Sequence, residues 1–373
     1  MKEKLTLGLL VIGAIVCIAL GACAKKENAT DKTTAPGTTN ETTEGTTEAS
    51  EESTKDKTTE VATQPEETQP TTTVTPTDKT HMIIGGLKGP TTMGIVKMIA
   101  DSEEEKVPYT FSIVVAPDEL STSLVKGEVD IALIPANLAA NIYQKTNKEI
   151  TVLNINTLGV LYFVENGNTI QDINDLKGKT IYMPATGKGS TPELALNYLL
   201  AGNDIDLADV TVEYKSESTE IAALLATTEG AIGFLPQPFV TVAQLQNEDI
   251  RIALSATDEF EKLDASMVTG VTVVRNAFLK EHPEAVAAFM ANHQASVAYL
   301  SDDKNLDTTS ALIEKYDIVK AAVAKKALPF CNIVCIEGTE MKEKLEIYLA
   351  SIFEQNPKAI GGAMPEDSFY FVK

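Results

Sequence analysis

The chain is 373 residues long, about twice the usual size of one domain, so its length predicts a sizeable core and two lobes. Against 31 Lys and Arg it sets 53 Asp and Glu, a formal charge of −22, which excludes binding to nucleic acid or an anionic membrane surface by charge alone. Aromatic residues make up 6 %, Trp is absent and His occurs 3 times; a His-rich metal centre or a Trp-lined sugar platform is disfavoured, and neither metal nor cofactor is expected.

At the N-terminus, Lys2 and Lys4 precede an apolar run from Leu5 to Leu20, too short for a comfortable transmembrane span and right for a signal-peptide core. The run ends at Leu20-Gly21-Ala22-Cys23, which resembles a bacterial lipobox, with small residues before a cysteine whose thiol takes a diacylglycerol. The alternative is an ordinary signal peptide with an incidental Cys23. Two or three acyl chains of the palmitate type, each buried methylene adding about 0.8 kcal/mol, make a stable anchor, so a lipoprotein on the extracytoplasmic face of a cell membrane is expected. Residues 24–80 contain 20 Thr, 12 acids, 6 bases and only two branched aliphatics, Val61 and Val74. Such a segment buries no core and is expected to be a disordered tether reaching about 40 Å. An O-glycosylated stalk or wall-spanning spacer fits the same composition.

From Met82 onward short apolar runs alternate with amphipathic stretches of helical length, predicting an α/β fold of mostly parallel sheets flanked by helices. Strands are expected at Met82 to Leu87, Thr110 to Val115, Ile131 to Ile134, Val152 to Val164, Thr180 to Met183, Val210 to Tyr214, Ala231 to Leu235, Ile250 to Leu254 and Met267 to Val274. One plan occurs twice, over Phe111 to Tyr143 and Val212 to Leu245: strand, helix, turn, a strand ending in Pro135 or Pro236, and another helix. The repeat predicts two related lobes. Cys331 and Cys335 lie in a strand-like stretch, where residues four apart stand about 13 Å from each other, so two buried thiols are expected there and not a disulfide.

Ligands of open parallel sheets sit beyond the carboxyl ends of strands, where helix N-termini present N–H groups. Four such junctions are legible: Gly89, Pro90 and Thr91 after the first strand; Pro135-Ala136-Asn137; Gly187, Lys188, Gly189, Ser190 and Thr191; and Pro236-Gln237-Pro238. The third lacks the order of a Walker sequence, so it predicts a cradle for a small anion or polar ligand and no nucleotide hydrolysis. Alternatively its glycines turn the chain and Ser190 or Thr191 caps a helix.

Asp175-Leu176-Lys177-Gly178-Lys179-Thr180-Ile181 with Gly187 to Thr191, Gly127 to Ala132 and Leu235 to Phe239 resembles the bacterial ABC-importer substrate-binding family for nitrate, sulfonate, taurine and thiamine-precursor pyrimidines. The resemblance spans most of residues 81–373. It implies a two-lobed type II periplasmic-binding fold with its ligand cleft between the lobes, and ligand contacts at Gly89, Pro90, Thr91, Asn137, Gly189, Ser190, Thr191 and Gln237. Crossings are expected near Val164 to Asn168 and Met267 to Val271, giving lobe one as 81–165 plus 271–373 and lobe two as 169–266. Family members often carry Glu where this chain has Gln237, which weakens the case for a cationic ligand. A stacked pyrimidine, with no Trp available, depends on Tyr162 or Phe239. The implied function is capture of a small organic or anionic solute, with sulfonate, nitrate or taurine favoured. As a monomer, the protein passes it to an ABC permease with its ATPase. A ligand-sensing lipoprotein and an enzyme on the same scaffold are the competing readings, although His81, His282 and His293 suggest no catalytic constellation.

Overall fold

The computed structural model describes residues 80–105 and 107–372; the expected signal peptide, the lipidation at Cys23 and nearly all of the tether lie outside the described residues. The first part of the chain forms β1 (Met82–Leu87), α1 (Pro90–Met93), α2 (Val96–Glu105), β2 (Tyr109–Val114), α3 (Pro117–Lys126), β3 (Ile131–Pro135), α4 (Ala136–Lys145) and β4 (Ile150–Leu158). There follow β5 (Leu161–Asn166), β6 (Thr180–Pro184), α5 (Thr191–Gly202), β7 (Thr211–Lys215), α6 (Ser218–Thr227), β8 (Ile232–Pro236), α7 (Phe239–Gln246), β9 (Ile250–Ser255) and α8 (Ala256–Glu261). The remainder is β10 (Val268–Arg275), α9 (Asn276–Glu281), α10 (Pro283–Leu300), α11 (Leu306–Lys315), α12 (Ala321–Ala327), β11 (Ile333–Ile336) and α13 (Gly338–Gln355).

Two sheets result, a six-stranded one in the order β11-β4-β10-β3-β1-β2 and a five-stranded one in the order β7-β6-β8-β5-β9. Three strands of each run parallel, β2-β1-β3 and β7-β6-β8; the rest pair antiparallel, so both sheets are mixed. Read from the parallel edge, β2-β1-β3-β10-β4 and β7-β6-β8-β5-β9 are one topology used twice, and the sequence repeat maps onto β2-α3-β3-α4 and β7-α6-β8-α7. The antiparallel strand inside each set, β10 or β5, is the one that follows a passage between lobes.

Local chemistry sets these elements. Helix α3 begins with Pro117, Asp118 and Glu119, which suit the positive end of the helix dipole. It ends with Lys126 and the left-handed Gly127 at φ 77°, whose N–H bonds Leu124 O while Glu128 N bonds Ser123 O. Strand β4 is buried over Ile150 to Thr157, the burial expected of an interior strand covered on both faces.

The apolar run from Val152 to Val164, expected to be one strand, is two. Chain crossing occurs at Gly159-Val160, ahead of the expected Val164 to Asn168, and β5 already belongs to the second sheet. Glycine is required there because a Cβ on residue 159 would collide with Thr257 Oγ1 and stand 2.9 Å from Met267 Sδ. The return crossing ends before Val268, which pairs with Leu158, so it precedes the expected Met267 to Val271. Cys331 is buried, Cys335 is half-buried and both are free thiols. Helix α13 packs Leu345, Tyr348 and Ile352 inward and touches α5 as well as the first lobe.

Candidate ligand site between the lobes

All four sequence-predicted junctions open helices, and at none of them does a side chain cap the helix: the N-cap residues of α1, α4, α5 and α7 are Gly89, Pro135, Ser190 and Pro238. Neither Ser190 nor Thr191 acts as a cap; Ser190 Oγ bonds Thr186 O at 3.1 Å.

Three of the junctions converge on the crossings. Thr91 is buried against β10, so closely that a Cβ on Gly270 would lie 2.5 Å from Thr91 Cγ2 and also collide with Asn156 Oδ1. Pro135, just before Asn137, pairs with the same Gly270. Gln237 is 1 % exposed and its N–H bonds Val160 O at 2.9 Å, at the first crossing. A cis peptide joins it to Pro238.

The third junction meets the second directly. Thr191 Oγ1 donates to Asn137 Oδ1 at 3.4 Å across the two lobes. Asn137 and Gly189 also line one cavity of about 690 Å³ beside α3 and α4. A second link between lobes is Tyr162 OH donating to Phe330 O at 2.8 Å. Tyr162 is thereby committed, and burial pushes its hydroxyl up to about 12, so it stays a neutral donor. Phe239 remains half-buried at the start of α7.

The loop at Gly187 differs from an open cradle. Lys188 N bonds Ala185 O at 3.1 Å and Ser190 N bonds Gly187 O at 3.2 Å. Gly189 N donates to Glu193 Oε2 at 2.6 Å, and the other oxygen of that carboxylate accepts from Tyr214 OH. Lys188 Nζ stands 5.3 Å above the Tyr214 ring. Lys88 pairs with Asp317 at 2.9 Å in an exposed contact. Sequence reasoning missed Glu193, although Ser190 and Glu193 have the spacing of a capping box.

Polar atoms without partners mark the crossings. Among the described residues, seven buried side-chain atoms lack a hydrogen bond: Gln237 Nε2, Thr257 Oγ1 and Thr269 Oγ1, and, elsewhere, Asn154 Oδ1, His293 Nε2, Thr309 Oγ1 and Tyr370 OH. Thr257 abuts Gly159, Gln237 is bonded to Val160, and Thr269 precedes Gly270, so the three gather where the chain passes between lobes. Leaving such groups unpaired costs about 1–3 kcal/mol each. Of the histidines, His81 bonds Thr110, His282 bonds Thr80 and His293 is buried beside Asn154.

This architecture is that of the two-lobed periplasmic-binding proteins. Residues 150–305 match the family described as NMT1/THI5 like. An ABC transporter from Parabacteroides distasonis has the same fold at a TM-score of 0.66 and 23 % identity, over 79 % of this chain and 99 % of the other. The periplasmic aliphatic sulphonate binding protein SsuA from Escherichia coli superposes with a TM-score of 0.62 at 16 % identity, over 78 % of this chain and 92 % of that one. A periplasmic sulfonate-binding protein of Methylobacillus flagellatus KT gives 0.59 at 17 % identity, over 79 % and 92 %. No curated protein matches the chain.

Proposed function

We propose that the protein is the solute-binding component of an ABC import system: it captures a small polar solute between its lobes and presents it to a permease with its ATPase. The observation that carries this reading is the gathering of Gln237 Nε2, Thr257 Oγ1 and Thr269 Oγ1, all buried and unpartnered, at the passages between two lobes of one topology. A solute held there touches both lobes, as a ligand must if it is to favour their closure. Gly89, Pro90, Thr91, Asn137, Gly187 to Thr191 and Gln237 form the surrounding shell. The relatives are ABC transport proteins, two of them named for sulfonates, which supports delivery over sensing. Lipidation at Cys23 would hold the receptor, as a monomer, at the extracytoplasmic face of the membrane.

The test is a thermal-shift screen of the full chain against sulfonates, nitrate, taurine, pyrimidines and flavins. A true solute at about a hundred times its Kd adds about 2.7 kcal/mol of stability and is recovered unchanged. Chemical consumption of a substrate without a stability gain would sink the receptor reading. Mass spectrometry of the mature protein tests the anchor: a Cys23 lacking acyl mass excludes it.

A further inference from the structure

Gln237 and Thr241 are joined side chain to side chain at the opening turn of α7, and both are buried, 1 % and 2 % exposed. Thr241 Oγ1 donates to Gln237 Oε1 at 3.0 Å, and the Thr241 main-chain N–H donates to the same oxygen at 3.4 Å. A main-chain N–H can only donate, so the amide cannot be turned end for end: its oxygen belongs against Thr241 and its nitrogen on the other side. Nε2, which carries two N–H groups, is the end left without a partner.

Gln237 lies at the passage between the lobes. Its main-chain N–H bonds Val160 O at 2.9 Å, one residue beyond Gly159, and the preceding Pro236 pairs with Leu161 at the start of β5. Helix α7 touches α12 of the first lobe. The N–H groups of Phe239 and Val240 open α7 and have no acceptor within the helix. This end of the helix is therefore rich in donors, and Thr241 keeps the Gln237 acceptor oxygen occupied. A carbonyl, carboxylate or sulfonyl oxygen brought to Nε2 would pair with it, whereas an ammonium group would set donor against donor.

Resting on the capture reading above, we propose that Thr241 is a positioning residue: by holding Gln237 Oε1 it turns the Gln237 N–H groups toward the solute, and the site selects solutes, charged or neutral, that present an acceptor oxygen there.

The test is calorimetric titration of the full chain with ethanesulfonate and dimethyl sulfone, an anionic and a neutral carrier of sulfonyl oxygens, and with ethylammonium, which carries donors only. In isotopically labelled protein, NMR follows the Gln237 side-chain amide signal, identified by its loss in Gln237→Met. At least one sulfonyl probe is expected to bind and to move that signal, and ethylammonium to do neither. Thr241→Val, which removes the hydroxyl, should weaken the bound probe about tenfold, and Thr241→Ser, which keeps it, should stay within about twofold of the natural protein, with circular dichroism verifying each fold. Movement of the amide signal by ethylammonium, no movement with either sulfonyl probe, or equal affinity in folded Thr241→Val and the natural protein overturns the proposal; the amide signal of the natural protein decides even where Thr241→Val does not fold. Each of these results leaves the capture reading standing, because that reading is judged by the broader solute screen.

Discussion

Protonating His293 should destabilise the fold from a group that lies nowhere near its surface. The ring is fully buried, and Asn154 Nδ2 lies 3.1 Å from its Nδ1. Burial lowers its pKa from 6.5 to about 4. Because the folded pKa is depressed, the unfolded chain takes up the proton first. The neutral ring's contribution is whole above the unfolded value near 6.5 and is lost as pH falls toward about 4. At 1.36 kcal/mol per pKa unit the full gap is about 3 kcal/mol, of which about 2 kcal/mol disappears between pH 7 and 5. Carboxylates with lowered pKa, such as Glu165 and Asp367, release their contributions only at more acid pH, below their unfolded values near 4. The assay is urea unfolding at half-unit steps from pH 7 to 5, for the natural chain and His293→Gln. The variant is less stable throughout and should have a slope flatter by about 2 kcal/mol over that window. Parallel pH profiles would refute the assignment.

Three further outcomes follow from packing and charge. Gly270→Ala drives a Cβ into Asn156 Oδ1 and to 2.5 Å from Thr91 Cγ2, so it should cost about 1–3 kcal/mol in denaturant unfolding and weaken solute binding more than tenfold; unchanged binding would remove Thr91 from the site. Arg251→Met strips the buried Glu165 of its cation and should cost about 3–5 kcal/mol, measured the same way, with a loss under 1 kcal/mol contradicting the burial of that charge. Burial works to raise the pKa of Glu165, but hydrogen bonds from Thr169, Ile170 and Arg251 outweigh it. Tyr162→Phe leaves Phe330 O without its donor from the other lobe; a loss of about 1 kcal/mol predicts solute affinity about fivefold weaker by calorimetry and a larger radius of gyration in X-ray scattering, whereas identical affinity and scattering would show that this contact does not favour closure.

Legibility of the fold tracked how far local patterns decide it. The repeat over Phe111 to Tyr143 and Val212 to Leu245 was readable because alternating strand and helix periods are local, and it became one topology present in both sheets. The passage at Gly159 was hidden because Val152 to Val164 is apolar on both sides of it, and apolar runs look alike whether they stay in one sheet or change sheets. Only the glycine marked the spot. Within the site, the helix-opening glycines and prolines were visible as turn chemistry. Thr257 and Thr269 were not, since a lone threonine gains meaning only when its surroundings leave the hydroxyl unpaired. Glu193 stood in a recognisable position after Ser190, yet its hold on Gly189 needs three-dimensional knowledge of Tyr214.

The described chain begins at Thr80 and enters β1, an interior strand bonded in parallel to β2 on one side and β3 on the other. At its far end, Phe371 N bonds Val152 O, again in the six-stranded sheet. Both extremities therefore belong to one half of the molecule, and the other half is an insertion with no loose end of its own. Traction applied through residue 80 runs along the axis of β1 and loads its rungs together in shear instead of peeling them singly.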